Sequence, residues 1–307
     1  MVVVSLTPRG YCHGVVGAIK EMREILNNKS LPRPIYILGR LVHNEKIVND
    51  FEALGIKTLD GASRVKMLKS IKTGTVIITA HGASQAVYDL AEQKGLRLID
   101  TTCKDVFTSQ QTMKDYVAKG YHVIFIGKHT HPESETARSI DNVHVVENVS
   151  DIETLNVPTS VVAVTNQTTM SLFDIYPIAE KLREKYPSLT MIEEICDATK
   201  KRQQAVYDQP SDVEHCFVVG DKGSNNTNKL KEVSLKAGIE ATLIESVEDV
   251  DVAMLKSLNK VSVTAGASTP TQLVKEVITF LQQFDPNNPS THENKSQVLN
   301  HNLFEAK

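Results

Sequence analysis

One pattern repeats along the chain: a short apolar, β-branched run, a polar turn, then a stretch with helical apolar spacing. IYIL at 35–38, GTVIITA at 74–80, HVIFIG at 122–127, SVVAVT at 160–165, CFVVG at 216–220 and VSVTAG at 261–266 all fit it. Continuous rather than alternating apolar runs belong to strands buried on both faces, and their regular separation by helices gives an α/β fold with mainly parallel sheets. Ligands of such sheets bind beyond the carboxyl ends of the strands, so the turns after these runs are where function is expected.

Those turns carry an unusual set of residues. His43 follows IYILGRLV, His81-Gly82 follows GTVIITA, His131-Pro132-Glu133 follows HVIFIG, and Asn166-Gln167-Thr168-Thr169 follows SVVAVT. Ser224-Asn225-Asn226 follows CFVVGDKG, and Gly266-Ala267-Ser268-Thr269 follows VSVT. Taken singly, each has a bland explanation as turn chemistry, or as a helix N-cap in the case of Asn226 and Ser268. Together they are enough polar groups to line one cavity.

Cys12, Cys103 and Cys196 each end a strand-like segment and precede a helical pattern, 91 and 93 residues apart. That near-equal spacing points to three pseudo-equivalent α/β lobes, each presenting one thiol at a strand-to-helix junction, where helix N–H groups favour thiolate. Three converging thiolates would suit a soft metal site with an open fourth position. Spacing alone leaves three unrelated core cysteines equally open, since no C-x-x-C pair is present. Cys216 lies inside the apolar run HCFVVG and reads as a small buried hydrophobe.

Bulk properties narrow the setting. With 307 residues, 41% of them hydrophobic, the chain can bury a substantial core. A formal charge of −3 offers no basic footprint, so no nucleic acid is expected as a partner. MVVVSLTPRG lacks the basic and long apolar regions of a signal peptide, and no run reaches the roughly 20 apolar residues of a membrane span, so no membrane partner is expected either. A cytoplasmic, reducing location is expected, in which cysteines serve as ligands, catalytic thiols or core residues rather than disulfides.

The motifs PRGYCHGV (8–15), LVHNEKIV (41–48), TAHG (79–82), HPE (131–133), TNQTTMS (165–171), EICDAT (194–199), SNN (224–226) and VTAGASTPT (263–271) occur in order. On these residues the chain resembles the 4-hydroxy-3-methylbut-2-enyl diphosphate reductase family of the methylerythritol phosphate pathway, from about residue 2 to 284. The resemblance implies three lobes around a central cluster and substrate cleft, expected at 13–102, 103–195 and 196–284, with 1–12 contributing near the cleft. The polar segment 285–307 is expected to be a flexible tail outside the core.

The resemblance also implies a [4Fe-4S] cluster on Cys12, Cys103 and Cys196, with an open apical iron for the hydroxyl of a small allylic diphosphate. That hydroxyl leaves as water, giving isopentenyl and dimethylallyl diphosphates, with electrons from a ferredoxin- or flavodoxin-like donor. By motif match the diphosphate contacts are His43, His81, Ser224, Asn225, Asn226 and Ser268. Glu133 is the proton donor, His131 binds substrate or relays a proton, and Thr168 hydrogen-bonds near the departing hydroxyl and Glu133.

Some residues depart from the family pattern. Lys104-Asp105-Val106-Phe107-Thr108 comes after Cys103 in place of Pro-x-Val-Thr-Lys, Thr130 and Thr136 replace glycines around the HPE turn, and His13 and Gly17 are atypical near Cys12. Two other readings compete: a cluster protein for electron transfer or redox sensing, which would not need a diphosphate pocket, and a zinc-dependent phosphate-ester hydrolase, which metal analysis separates.

Overall fold

The computed structural model describes residues 1–61, 63–159 and 161–304; Ser160, which opens the SVVAVT run, and the last residues of the tail lie outside that set. The described strands form three parallel sheets of four strands each. After β1 (Val2–Ser5), the first sheet holds β2 (Ile35–Leu38), β3 (Ile56–Leu59), β4 (Thr75–Ile78) and β5 (Arg97–Asp100). The second holds β6 (His122–Ile126), β7 (Val143–Val146), β8 (Val162–Asn166) and β9 (Thr190–Met191). The third holds β10 (His215–Val219), β11 (Ala241–Ile244) and β12 (Lys260–Ala265), and takes β1 as its fourth strand.

The strand orders are β3-β2-β4-β5, β7-β6-β8-β9 and β11-β10-β12-β1. They are one topology used three times, with the chain's first strand completing the last sheet. In the first two, the chain runs outward in one direction from one inner strand and in the other direction from its neighbour; in the third it runs outward from β10 to β11, and β1 flanks β12 from the start of the chain. The crevice beyond the carboxyl ends of the two inner strands is therefore a topological switch point, the place where open α/β sheets bind ligands. β2/β4, β6/β8 and β10/β12 are those inner pairs, and the polar turns singled out in the sequence come directly after them.

Burial explains the arrangement. The inner strands β4, β8 and β10 are buried along their whole length, which is why their residues read as unbroken apolar runs. Helices cover both faces. Val76 and Ile78 pack with Val87 and Ala91, Val162 and Val164 with Ile175 and Leu182, and Val261 and Val263 with Val274 and Val277.

The chain divides into two compact units. One comprises Met1–Val16, Val42–Asp50 and Asp197–Lys307 with the third sheet, and the other Gly17–Leu41 and Phe51–Cys196 with the first and second sheets. Segment 285–304 adds no strand to a core, yet it is tied down. Ser296 Oγ and the amides of Gln297 and Val298 all donate to Glu276 (2.6, 2.7 and 2.9 Å), Asn294 Nδ2 donates to the carbonyls of Val247 and Val250, and Leu303 N donates to Asp50 Oδ2 at 3.0 Å. Ser296 and Asn294 thus satisfy helix and turn groups, contacts that apolar periodicity does not report.

Candidate active site

The three cysteines that follow the outer strands are held alike. The Cys103 amide donates to the Ala80 carbonyl at 3.0 Å, the Cys196 amide to Thr168 at 3.1 Å and the Cys12 amide to Ala267 at 3.0 Å. In every case the acceptor lies two residues beyond the neighbouring inner strand. Each cysteine immediately precedes a helix, His13–Asn27, Lys104–Ala118 or Asp197–Tyr207. The carbonyls of Cys12 and Cys103 accept the first helical amides, from Val16 and Phe107 at 2.9 Å. All three of these residues are half-buried, whereas Cys216 is fully buried and its thiol is pushed up by burial. Each of the three is thus a half-buried soft donor at a helix N-terminus.

In the unit that carries the first two sheets, Glu133 is 4% exposed in the first turn of the helix Pro132–Arg138. Its carboxylate accepts from the Thr168 amide at 3.0 Å and from the Thr168 hydroxyl at 2.9 Å. Burial pushes Glu133 up to about 7, against the two Thr168 donors, which favour the ionised form. Thr168 also supplies the carbonyl that holds the Cys196 amide, so one residue ties the buried acid to a cysteine. His131 caps this helix, its Nδ1 accepting the Glu133 amide at 3.2 Å, so its ring proton sits on Nε2. The His81 ring stands edge-on to it at 5.4 Å.

In the other unit, Ser224 is the N-cap of the helix Asn225–Lys236, with its Oγ accepting from Thr227 N at 3.3 Å. Asn226 is not a cap. Its Oδ1 accepts the Ala267 amide at 2.9 Å and its Nδ2 donates to Thr199 Oγ1 at 3.3 Å. Ser268 is not a cap either: its hydroxyl donates to the His43 carbonyl at 2.9 Å, fastening the loop that carries that imidazole. Ser224, Asn225, Asn226 and Ser268 are all buried. A helix start loaded with buried hydroxyl and amide groups is suited to an anion. Gly266 permits the close approach, since a Cβ there would lie 2.0 Å from Thr227 Oγ1 in that helix's first turn.

The chain matches the family described as LytB protein over residues 3–282. The chain belongs to this family. LytB relatives named 4-hydroxy-3-methylbut-2-enyl diphosphate reductase occur in Anoxybacillus flavithermus and Lysinibacillus sphaericus. Each is 48% identical over 301 residues, covering 97% of this chain and 96% and 93% of the respective relatives. Among solved structures, the E-1-hydroxy-2-methyl-but-2-enyl-4-diphosphate reductase from Plasmodium falciparum is similar with a TM-score of 0.85 and 30% identity, covering 95% of this chain and 89% of that one. A second, titled (E)-4-hydroxy-3-methyl-but-2-enyl diphosphate reductase, the terminal enzyme of the non-mevalonate pathway, matches at 0.64 and 27% identity over 92% of this chain and all of that one.

Residues that depart from the LytB pattern at 104, 107 and 136 are accommodated locally. Lys104 and Phe107 project from the exposed face of their helix, and Cys103 keeps its cap position without a proline after it. Thr136 is buried, and its hydroxyl is absorbed by the Pro132 carbonyl at 3.3 Å. Sequence reasoning misses Thr199 as a partner of Asn226, although it lies within EICDAT. Arg64, buried beside Thr79, carries no sequence signal, because an arginine in a polar turn reads as surface.

Proposed function

We propose that the chain reduces 4-hydroxy-3-methylbut-2-enyl diphosphate to isopentenyl and dimethylallyl diphosphates. The observation that carries this reading is the buried acid Glu133, held near neutrality by burial and tied through Thr168 to Cys196. The reaction consumes two electrons and two protons: the C–O bond to the hydroxyl breaks, a C–H bond forms, and the oxygen leaves as water.

Cys12, Cys103 and Cys196 would hold a [4Fe-4S] cluster, each being a half-buried soft donor at a helix N-terminus. When bound, such a cluster supplies Lewis acidity toward the hydroxyl and a path for electrons. The protein's own groups do the rest. Glu133 delivers a proton, Thr168 holds that carboxyl through its amide and hydroxyl, and His131 presents Nε2–H to the substrate. His43, His81, Ser224, Asn225, Asn226 and Ser268 neutralise the diphosphate by hydrogen bonds rather than by a lysine or arginine cluster. A ferredoxin- or flavodoxin-like protein is the electron donor and the cytoplasm the location. No described helix is long and apolar enough to cross a membrane.

Anaerobic purification with iron and sulfide analysis, followed by turnover of the allylic diphosphate with a strong one-electron donor, tests the assignment. About four irons and four sulfides per chain with product formation are expected. An intact cluster with no substrate consumption defeats the reading, and zinc without labile sulfide replaces it with a hydrolase. Thr168→Val removes a donor that favours ionised Glu133. Because the same hydroxyl positions the carboxyl, the rate at pH 7 is expected to fall about tenfold, while the raised Glu133 pKa moves the alkaline limb of the pH profile to higher pH.

A further inference from the structure

We infer that Arg64 is a positioning residue of the diphosphate site, acting on His81 through Thr79. The inference rests on the reading above, in which His81 contacts the diphosphate. Arg64 is 4% exposed at the start of the helix Arg64–Ser70. Its Nη2 donates to Thr79 Oγ1 at 3.1 Å, and its Nη1 and main-chain amide donate to the Glu135 carboxylate at 3.3 and 3.1 Å. A Cβ on Gly39 would lie 3.6 Å from Nη2, so the guanidinium also lies against the end of β2. One buried cation thus touches the end of β2, the residue after β4, and the helix that carries His131 and Glu133.

A threonine hydroxyl has one proton and two acceptor positions. Arg64 takes one acceptor position, and in the inferred arrangement the Thr79 proton is directed at His81 Nδ1, 3.5 Å away. Nδ1 is then an acceptor and the ring proton sits on Nε2, the form an imidazole needs to donate to an anion. His131 reaches the same state by another route, its Nδ1 engaged by the Glu133 amide. In this arrangement the two edge-on imidazoles are both preset as Nε2–H donors, one by a helix cap and one by an arginine acting through a hydroxyl. The planar fork of Arg64 is what allows the carboxylate and the hydroxyl to be held at once.

The test uses cluster-loaded wild-type, Thr79→Val, Thr79→Ser and Arg64→Lys proteins. It measures KM and kcat for the allylic diphosphate, the Kd of inorganic diphosphate by calorimetry, and Tm. Thr79→Val is expected to raise both KM and the diphosphate Kd about tenfold with kcat within about twofold, Thr79→Ser to restore both, and Arg64→Lys to raise both. Wild-type KM and Kd in Thr79→Val overturn the inference. So does a Tm loss of equal size in Thr79→Val and Thr79→Ser with the Kd unmoved, which marks packing alone. Wild-type protein that binds diphosphate yet never consumes the allylic substrate defeats the proposed reaction, while the Kd series still decides the role of Arg64.

Discussion

Replacing Glu133 by Gln lowers turnover at pH 7 by about 10²- to 10⁴-fold and leaves iron and sulfide content at the wild-type level. The amide is nearly the same size; its oxygen can accept from the Thr168 amide and its NH2 can donate to the Thr168 hydroxyl, but it has no acidic proton to give. The link from Glu133 to Cys196 runs through the Thr168 backbone, which the substitution does not alter. Wild-type rates in this variant would remove Glu133 from the mechanism, and loss of cluster would recast it as structural.

The wild-type pH profile is set by the same carboxyl. A donor with a pKa of about 7 is protonated below that value, so kcat falls as pH rises through about 7. His131 Nδ1 lies 3.9 Å from the carboxylate, and Glu135, paired with Arg64, lies two residues further along the same helix. Stability moves the same way. An acid whose folded pKa is raised favours the folded state most below its unfolded pKa, near 4.5, and loses that contribution as pH rises through about 7. The shift corresponds to about 3 kcal/mol. Glu133→Gln lacks the titration, so its stability relative to wild type improves between pH 4.5 and 7, as denaturant unfolding at the two ends of that window will report.

How much of this is legible in the sequence depends on burial. The inner strands stand out because both their faces are covered, so GTVIITA and HVIFIG carry little polar interruption. The edge strands β3, β7 and β11 give no such signal. IKTL, VHVV and ATLI are four residues long and only partly buried, too short to separate from a loop by periodicity. The outer strands that precede the cysteines are more exposed still, and the sequence marks them only through the thiol and the helical pattern that follow. The equal spacing of Cys12, Cys103 and Cys196 has a physical source in the repeated sheet order, with one outer strand ahead of each thiol. Partners set by tertiary approach are not legible: nothing local distinguishes Asn226 as a clamp on Ala267 from Asn226 as an N-cap, or marks Arg64 as buried.

The sharpest separation between ligand and core cysteine is expected from a paired substitution. Cys103→Ser should yield a folded protein with loss of most iron and labile sulfide and of all measurable turnover, because a serine hydroxyl is a hard, weakly acidic donor in place of a soft thiolate. The fold should survive, since the anchoring bond at this position is made by the main-chain amide to Ala80, and the helix Lys104–Ala118 takes no side-chain cap from Cys103. Cys216→Ser should keep wild-type iron, sulfide and turnover. That residue is fully buried in β10, but the Ser262 and Ser234 hydroxyls already face its sulfur, so an added hydroxyl finds hydrogen-bond partners and the loss of stability is about 1 kcal/mol. Elemental analysis with circular dichroism on both variants makes the comparison. A Cys103→Ser protein that retains its full iron content would place the cluster on other ligands. A Cys216→Ser protein that folds but loses its iron would bring the fourth cysteine into the site.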